Sequence, residues 1–416
     1  MATNHGLKTS VSGLVFAYDM YDLKNSYRGE PTTNIAYATN NYLNSNGNWW
    51  VNSGATTFND NDTSIPKPII PNVDTSNLRV FSSTVTTAGG NQQLGSSIIG
   101  ISPSTQYSMS IYYWFSGTSM QSQPYLRTNV NNNSLGNFAY NGDTNYLNWP
   151  RSTWIRLTVT FTTQSNENGV YMSSYTGDNV GEKLAYFGYQ LEQKGYSTPL
   201  VLGTRSNTNS LINIRDATQT MNVSGVSFSS NGTFSFDGTN DTLALPTALE
   251  PYFSPSITEV AVEVVFKATT GSTGSGGPLF ENYRFNLWYN YTNNVVECYV
   301  RTGPPDYPSY AFAISLSSGT LRTKGLYNHV VMVYKKTASN SGQLLVYANG
   351  TLSNSTTGLN MGNYPYVSAT VGSSSHSGGN VYWMNGEVPI VRVYNRELTY
   401  SEVISNFDSL RGRFSI

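Results

Sequence analysis

The chain has 416 residues, of which only 11% are charged, and its formal net charge at pH 7 is −1. Globular proteins usually carry about 25% charged residues, and a near-neutral chain offers no electrostatic attraction for nucleic acid or an anionic membrane surface. No apolar run approaches the ~20 residues that a membrane-spanning helix requires. The composition therefore predicts neither nucleic acid as a partner nor insertion into a membrane.

Three further features of the sequence bear on where the protein is located. A single cysteine, Cys298, excludes an intramolecular disulfide framework. The first residues lack the basic and long apolar segments of a signal peptide, so no secretory route is predicted. Tyrosine (31) and glycine (37) are abundant, and Asn, Ser and Thr fill positions that charged residues usually take. This composition is typical of β-rich extracellular or virion proteins.

In chain order, the first predicted strand is the apolar run at residues 14–18. Residues 37–77 show little periodicity, which predicts long loops between short strands. Four later runs predict strands, at residues 107–115, 154–161, 170–175 and 184–192. The first of these alternates, with one apolar face formed by Tyr107, Met109, Ile111, Tyr113 and Phe115. Short alternating strands between polar turns predict an antiparallel sandwich.

Three stretches characterise the block from residue 31 to residue 205. They are the opening PTTNIAYATN, the W-x-R-x-T-x-T-F strand at 154–161, and the closing AYFGYQLEQKGYSTPLVLGTRS at 185–206. With these stretches the block resembles a jelly-roll carbohydrate-binding module. The closing stretch also resembles structural proteins of tailed bacteriophages. The resemblance implies a jelly-roll fold and, less specifically, sugar binding.

Beyond residue 205 a different set of motifs follows. They are S-F-S-S-N-G-T-F-S-F-D-G-T-N-D-T-L at 227–243, a strand at 259–267, N-H-V-V-M-V-Y at 328–334, L-L-V-Y-A-N-G at 344–350, and G-E-V-P-I-V-R-V-Y-N-R-E-L at 386–398. In this order they resemble the concanavalin A-like, laminin-G-like domains. That family begins with a strand of the form G-L-V-L-x-L-D, which G-L-V-F-A-Y-D at 13–19 fits about 210 residues early.

An insertion accounts for that early strand. We expect residues 1–30 to supply the first strand of the laminin-G-like domain, residues 31–205 to form the inserted module, and residues 206–416 to complete the domain. Three independent pieces in a row would leave the strand at 14–18 without a sheet. The predicted fold class is therefore all-β, with two antiparallel β-sandwiches, one inserted into the other, and one short C-terminal helix.

The helix signals lie at the end of the chain. Residues 388–394 predict a buried strand, and Thr399 with Glu402 forms a capping box. Apolar residues at helical spacing then predict the helix face that covers the sheet, which consists of Val403, Ile404, Phe407 and Leu410. The helix is predicted to end at Gly412.

Catalytic groups are scarce. The three histidines are His5, His329 and His376, and with one cysteine no zinc-ligand spacing exists. Glu259 and Glu263 lie about 13 Å apart along a predicted strand, because four residues span ~3.3 Å each. Glycosidase carboxyl pairs lie at ~5.5 Å or ~6.5–9.5 Å. The sequence therefore predicts a protein that is not an enzyme, with a glycoside hydrolase as the remaining catalytic alternative.

Aromatic residues on outward strand positions and in loops are the predicted contacts for a glycan. Sugars stack on aromatic faces and bind amide and hydroxyl groups. The same residues could equally form a protein interface, because exposed Tyr and Trp commonly do so. The candidates are Tyr112, Trp114, Trp154 and Arg156 on strands, and Trp49, Trp50, Tyr146 and Trp149 in predicted loops.

Four aspartates are candidate ligands for calcium. Asp237 and Asp241 lie in the turn D-G-T-N-D, and Asp19 with Asp22 follows the first strand. Carboxylate oxygens are the ligands that Ca²⁺ prefers. The alternative is that D-G-T-N-D is a turn sequence without a metal. No other cofactor is predicted.

Two functions fit these features. The first is a non-enzymatic structural protein on the surface of a virion, as a capsid decoration or a compact fibre knob, with other virion proteins as partners. The second is a tail adhesin that binds a host surface polysaccharide. Multiple copies or a homo-oligomer are expected on the particle. No coiled coil or β-helix repeat is present in the sequence to form a fibre shaft.

Overall fold

The structure is a computed structural model. It describes residues 9–36, 49–52, 56–88, 93–118, 123–175, 177–228, 233–254, 256–270, 276–282, 284–301, 313–319, 321–338, 341–359, 368–375 and 381–416. Two of the three histidines, His5 and His376, lie outside these ranges. The chain divides into two compact units. The discontinuous unit combines Met1–Glu30 with Ser206–Ile416, and the continuous unit is Pro31–Arg205.

Nearly all regular structure is antiparallel strand, which confirms the predicted all-β class. No helix among the described residues is long and apolar enough to cross a membrane. The strands in chain order are β1 (Leu14–Asp19), β2 (Thr32–Thr33), β3 (Trp49–Asn52), β4 (Thr56–Asn59), β5 (Phe81–Val85), β6 (Gln93–Ile99), β7 (Gln106–Phe115), β8 (Tyr125–Thr128), β9 (Ser134–Asn137), β10 (Ile155–Thr162), β11 (Gly169–Tyr175), β12 (Lys183–Glu192), β13 (Thr204–Arg205), β14 (Leu211–Asn213), β15 (Asp216–Ser224), β16 (Ser227–Phe228), β17 (Phe234–Asp237), β18 (Thr242–Ala244), β19 (Glu259–Ala268), β20 (Gly277–Glu281), β21 (Phe285–Asn290), β22 (Val295–Arg301), β23 (Ala313–Ser317), β24 (Asn328–Ala338), β25 (Ser341–Ala348), β26 (Thr351–Thr357), β27 (Thr370–Val371), β28 (Ser373–Ser375), β29 (Val381–Trp383) and β30 (Asn385–Tyr394).

The continuous unit has two five-stranded sheets, ordered β10-β7-β12-β5-β4 and β3-β6-β11-β8-β9. Their inward side chains form one apolar core. The alternation predicted for 107–115 is present in β7, because its five apolar-face residues are all buried. The first and last strands of the continuous unit lie side by side, since β2 pairs with β13.

The discontinuous unit has two eight-stranded sheets that enclose a second core. One runs β16-β17-β30-β19-β24-β25-β26 and the other β14-β15-β18-β27-β20-β21-β22-β23. β1 pairs antiparallel with β30, with Tyr18 opposite Val391, so the first strand belongs to the first of these sheets. The chain leaves and re-enters this unit side by side, because the Arg28 amide donates to the Ser210 carbonyl at 2.9 Å.

Helix α1 (Tyr400–Phe414) packs on the side of the first sheet that faces away from the core. The capping box of Thr399 and Glu402 is confirmed. The predicted stop is wrong: the helix runs past Gly412, and Ser415 takes the left-handed conformation at its end. The predicted face is also shifted, because the fully buried helix residues are Val403, Asn406, Leu410 and Phe414.

Candidate functional site

Four of the predicted contact residues share one sheet face of the continuous unit, but this face is covered. Tyr112 lies opposite Arg156 across β7 and β10. The guanidinium of Arg156 donates to the Ser110 hydroxyl at 2.8 Å and to the Thr198 carbonyl. Burial of this guanidinium lowers the pKa of Arg156. The closing segment at residues 196–200 thus lies over these strands.

The aromatic members of this covered face are half-buried and pack on the unit's own core. Phe187 contacts both Tyr112 and Trp154, at ring-centroid distances of 6.5 and 6.0 Å. The Trp154 indole also donates to the Pro66 carbonyl at 2.6 Å. Trp114 is half-buried against the same core. These rings therefore serve packing within the unit.

Of the residues predicted in loops, two are core residues. Trp49 is buried and stacks on Phe81 at 4.6 Å. Trp149 is buried, donates to the Asp143 carbonyl at 3.0 Å and contacts Tyr113 edge-on. Tyr146 is half-buried beside the same core, in a short 3-10 helix at Tyr146–Asn148. Trp49 and Trp50 both lie in β3, not in a loop, but Trp50 faces away from the core.

Trp50 belongs to a group of aromatic residues on the outward face of the second sheet. Strand pairing places Trp50 opposite Gly95, Gly95 opposite Ser173, and Ser173 opposite Tyr125. Tyr171 and Tyr175 flank Ser173 on β11, at the alternate positions that share its face. We call Trp50, Tyr125, Arg127, Tyr171 and Tyr175 the aromatic face. All five side chains are half-exposed.

The rings of the aromatic face form two contacting pairs. Trp50 lies 6.4 Å from Tyr171, and Tyr125 lies 6.2 Å from Tyr175, between ring centroids. The indole of Trp50 covers Gly95, whose missing side chain leaves room for it. Burial beside these neighbours raises the pKa of Tyr125. The small residues Gly95 and Ser173 thus form a floor between two aromatic pairs.

Arg127 completes this surface. It lies opposite Tyr171 across β8 and β11, and its guanidinium carbon is 4.9 Å from the centroid of Tyr125. The guanidinium donates to Asn132, which also accepts from the Tyr171 hydroxyl. Aromatic rings beside amide, hydroxyl and guanidinium groups are what a site for a polar, ring-shaped ligand requires.

Sequence reasoning missed Tyr125, Arg127, Tyr171 and Tyr175. A signal existed, since Tyr171 and Tyr175 lie on one face of the strand at 170–175, and Tyr125 and Arg127 occupy alternate positions of the short run Tyr125–Thr128. What the sequence did not reveal is that β3, β6, β11 and β8 are neighbours, which brings these alternate positions onto one face.

The four aspartates predicted for calcium are not brought together. Asp19 pairs opposite Ile390 and Asp237 opposite Asn385 along the same edge of β30. Five residues at ~3.3 Å separate them by about 17 Å. Among the described residues, no group of three or more His, Cys, Asp or Glu side chains is placed to hold a metal.

Each of these aspartates has another role. Asp19 forms an ion pair with Arg413, and Asp22 accepts from the amide of Asn25 at 3.0 Å. Asp237 accepts from the amide of Thr239 at 2.7 Å, which is a turn contact. Asp241 is buried, which raises its pKa, and its Oδ2 accepts from the Asp237 amide.

The two carboxylates considered for catalysis, Glu259 and Glu263, are likewise engaged, and so is Glu297. Glu263 is fully buried beneath α1 and accepts from four side chains, so no substrate can reach it. Glu259 accepts from the Glu397 amide at 3.1 Å. On the second sheet of the discontinuous unit, Glu297 accepts from Tyr299 and from Asn290. These contacts hold the fold together.

Residues 237–404 match the model of the concanavalin A-like lectin/glucanases superfamily. No curated protein matches the chain in sequence.

Solved structures give weak likenesses. The Ruminococcus gnavus IT-sialidase CBM40 is 16% identical with a TM-score of 0.30, over 36% of this chain and 83% of that one. The same module bound to alpha2,3 sialyllactose gives 16% and 0.32, over 41% and 95%. The receptor binding domain of botulinum neurotoxin C/D mosaic serotype gives 10% and 0.36, over 49% of each chain. At such scores these likenesses carry no weight for function.

The family match covers four of the five motifs beyond residue 205, including the strand β19 and the closing strand β30. The expected concanavalin A-like domain is therefore confirmed over this stretch. Over residues 237–404 the chain is similar to the concanavalin A-like lectin/glucanases superfamily.

Proposed function

We propose that this protein binds glycans, without cleaving them, through the aromatic face of its continuous unit. The observation that carries the proposal is the gathering of four half-exposed rings around the small residues Gly95 and Ser173. Flat apolar faces with polar groups at their edges suit sugar rings, whose C–H surfaces are apolar and whose rims carry hydroxyls.

The covered face fits this role less well. Tyr112 and Trp154 both contact Phe187, and Arg156 is bound to Ser110 and Thr198. A ligand there would have to displace these contacts and the closing segment. The two faces lie on different sheets of one unit, which makes a matched experiment possible.

The experiment measures binding to an array of bacterial surface polysaccharides and the melting temperature of each variant. Trp50→Ala and Tyr171→Ala should abolish glycan binding with little change in melting temperature, because these two rings, unlike Tyr112, do not pack against the apolar core of the unit. The matched control Tyr112→Ala should keep binding and lower the melting temperature. If Tyr112→Ala abolishes binding while Trp50→Ala and Tyr171→Ala do not, the aromatic face is not the site.

Absence of hydrolysis is part of the same proposal. Glu263 is sealed under α1, and Glu297 is bound by Tyr299 and Asn290. Glycosidases need an accessible pair of carboxyl groups at a defined separation. Release of reducing sugar from a bound polysaccharide, lost in Glu297→Gln, would overturn this part.

The virion surface is our proposed location, and it rests on the resemblance of residues 185–206 to phage structural proteins. Display on a particle in several copies would let weak glycan contacts act together. The alternatives remain a capsid decoration and a tail adhesin, with other virion proteins as partners. Mass spectrometry of purified particles tests this location, and light scattering of the purified chain tests its oligomeric state.

A further inference from the structure

Arg127 is the only charged residue in the five strands of the sheet that carries the aromatic face. Its Nη1 donates to the carbonyl and side-chain oxygens of Asn132, at 3.3 and 3.2 Å. Its Nε and Nη2 donate to no described residue, and no described carboxylate forms an ion pair with it. With respect to the described residues, one edge of the guanidinium is therefore open for a ligand.

The surroundings of Arg127 favour an anion. A guanidinium offers a planar fork of N–H donors that matches a carboxylate, and such charge-assisted bonds are about twice as strong as neutral ones. The neighbouring outward positions, Gly95, Ser97 and Ser173, are small and uncharged, so nothing on these strands repels an acidic group. Asn132 and the ring of Tyr125 hold the guanidinium in place.

We propose that the aromatic face selects acidic glycans, with a sugar carboxylate bound by Arg127 and adjacent sugar rings stacked on Trp50 and Tyr171. This rests on the proposed glycan binding and narrows its ligand to carboxylated sugars. Uronic acids and sialic acids share this chemistry, and the experiment separates them.

Calorimetry of the full chain with two matched pairs of probes tests the selectivity. The pairs are oligogalacturonate with its carboxyl-reduced form, and sialyllactose with lactose. In at least one pair the acidic member should bind roughly tenfold or more tightly than its neutral partner. Arg127→Gln should remove that difference, Arg127→Lys should keep part of it, and added salt should weaken the acidic member alone.

The control is Arg79→Gln, which removes the same charge from the continuous unit at a half-exposed ion pair with Asp60 and should leave the selectivity unchanged. Equal affinity within both pairs, with Trp50→Ala abolishing all binding, would overturn the acidic selectivity and leave glycan binding standing. Binding of none of the four probes, or binding untouched by Trp50→Ala, would overturn both. If Arg127→Gln does not fold, the matched pairs and the salt dependence of the wild-type chain still decide the question.

Discussion

Asn406 of helix α1 donates to the carboxylate of Glu263 at 2.9 Å, although 143 residues separate the two in the chain. The same carboxylate accepts from His329 at 2.8 Å, Arg392 at 3.1 Å and Tyr394 at 2.9 Å. One buried charge therefore ties α1 to β19, β24 and β30. Burial opposes the charged form, but Arg392, His329 and Tyr394 together lower the pKa of Glu263 to about 2.

Glu263→Gln should strongly destabilise the discontinuous unit. The substitution leaves Arg392 buried without its counter-charge, and breaking a buried ion pair costs about 3–5 kcal/mol. Because the folded pKa of Glu263 lies below its usual value, its contribution is present above pH ~5 and is lost as the pH falls toward 2. Urea unfolding at several pH values should show this acid loss in the wild type and a flatter profile in the variant. Glu259→Gln, at a half-exposed position of the same strand, is the control and should cost far less.

The buried face of α1 can be tested by paired substitutions. Leu410→Ala should cost about 2–5 kcal/mol, because Leu410 is buried with Val265, Ile390 and Phe414. Ile404→Ala should cost clearly less, because Ile404 is only half-buried. Thermal unfolding measures both. Equal losses would support the face predicted from apolar spacing and contradict the observed one.

The shifted buried face of α1 shows what sequence patterns cannot predict. Apolar spacing finds a helix and its approximate inner side, but it cannot assign a buried Asn such as Asn406, whose place depends on a carboxylate in another strand. The alternation of β7 predicted its core face correctly. It could not predict that Tyr112 would be covered, because the covering segment around Thr198 lies far along the chain.

The insertion makes a direct prediction. Removing residues 31–205 and joining the flanks with a short Gly-Ser linker should leave a folded discontinuous unit. Its ends already meet, because Tyr27 bridges Leu211 and the Arg28 amide reaches Ser210. β1 should remain essential, since it pairs with β30. If residues 206–416 alone unfold with the same midpoint as the joined chain, residues 1–30 are not part of this unit.

The Gln-Leu-Glu motif of β12 should be structural. Glu192 is buried and accepts from the hydroxyls of Thr32 and Thr198, at 2.7 and 2.6 Å, and from Gln190. It thus joins the start of the continuous unit to its closing segment. Glu192→Ala leaves these donors unpaired and should cost about 1–3 kcal/mol or more. The exposed Asp74→Asn is a control of similar charge change, and an equal melting temperature for both variants would show that the motif has another purpose.

Gly95 should be required for the aromatic face itself. A Cβ at this position would overlap the indole of Trp50 and come within 2.8 Å of the Met172 carbonyl, so an alanine must displace the ring and strain the pairing of β6 with β11. We expect Gly95→Ala to shift the tryptophan fluorescence, to lower the melting temperature modestly, and to weaken glycan binding severalfold. Ser97→Ala, at the next outward position of the same strand, adds no atom near Trp50 and should leave all three readings close to wild type. If Gly95→Ala alters stability but leaves glycan affinity unchanged, the position of Trp50 over the floor does not govern binding, and Tyr171 with Tyr125 would have to carry the stacking alone.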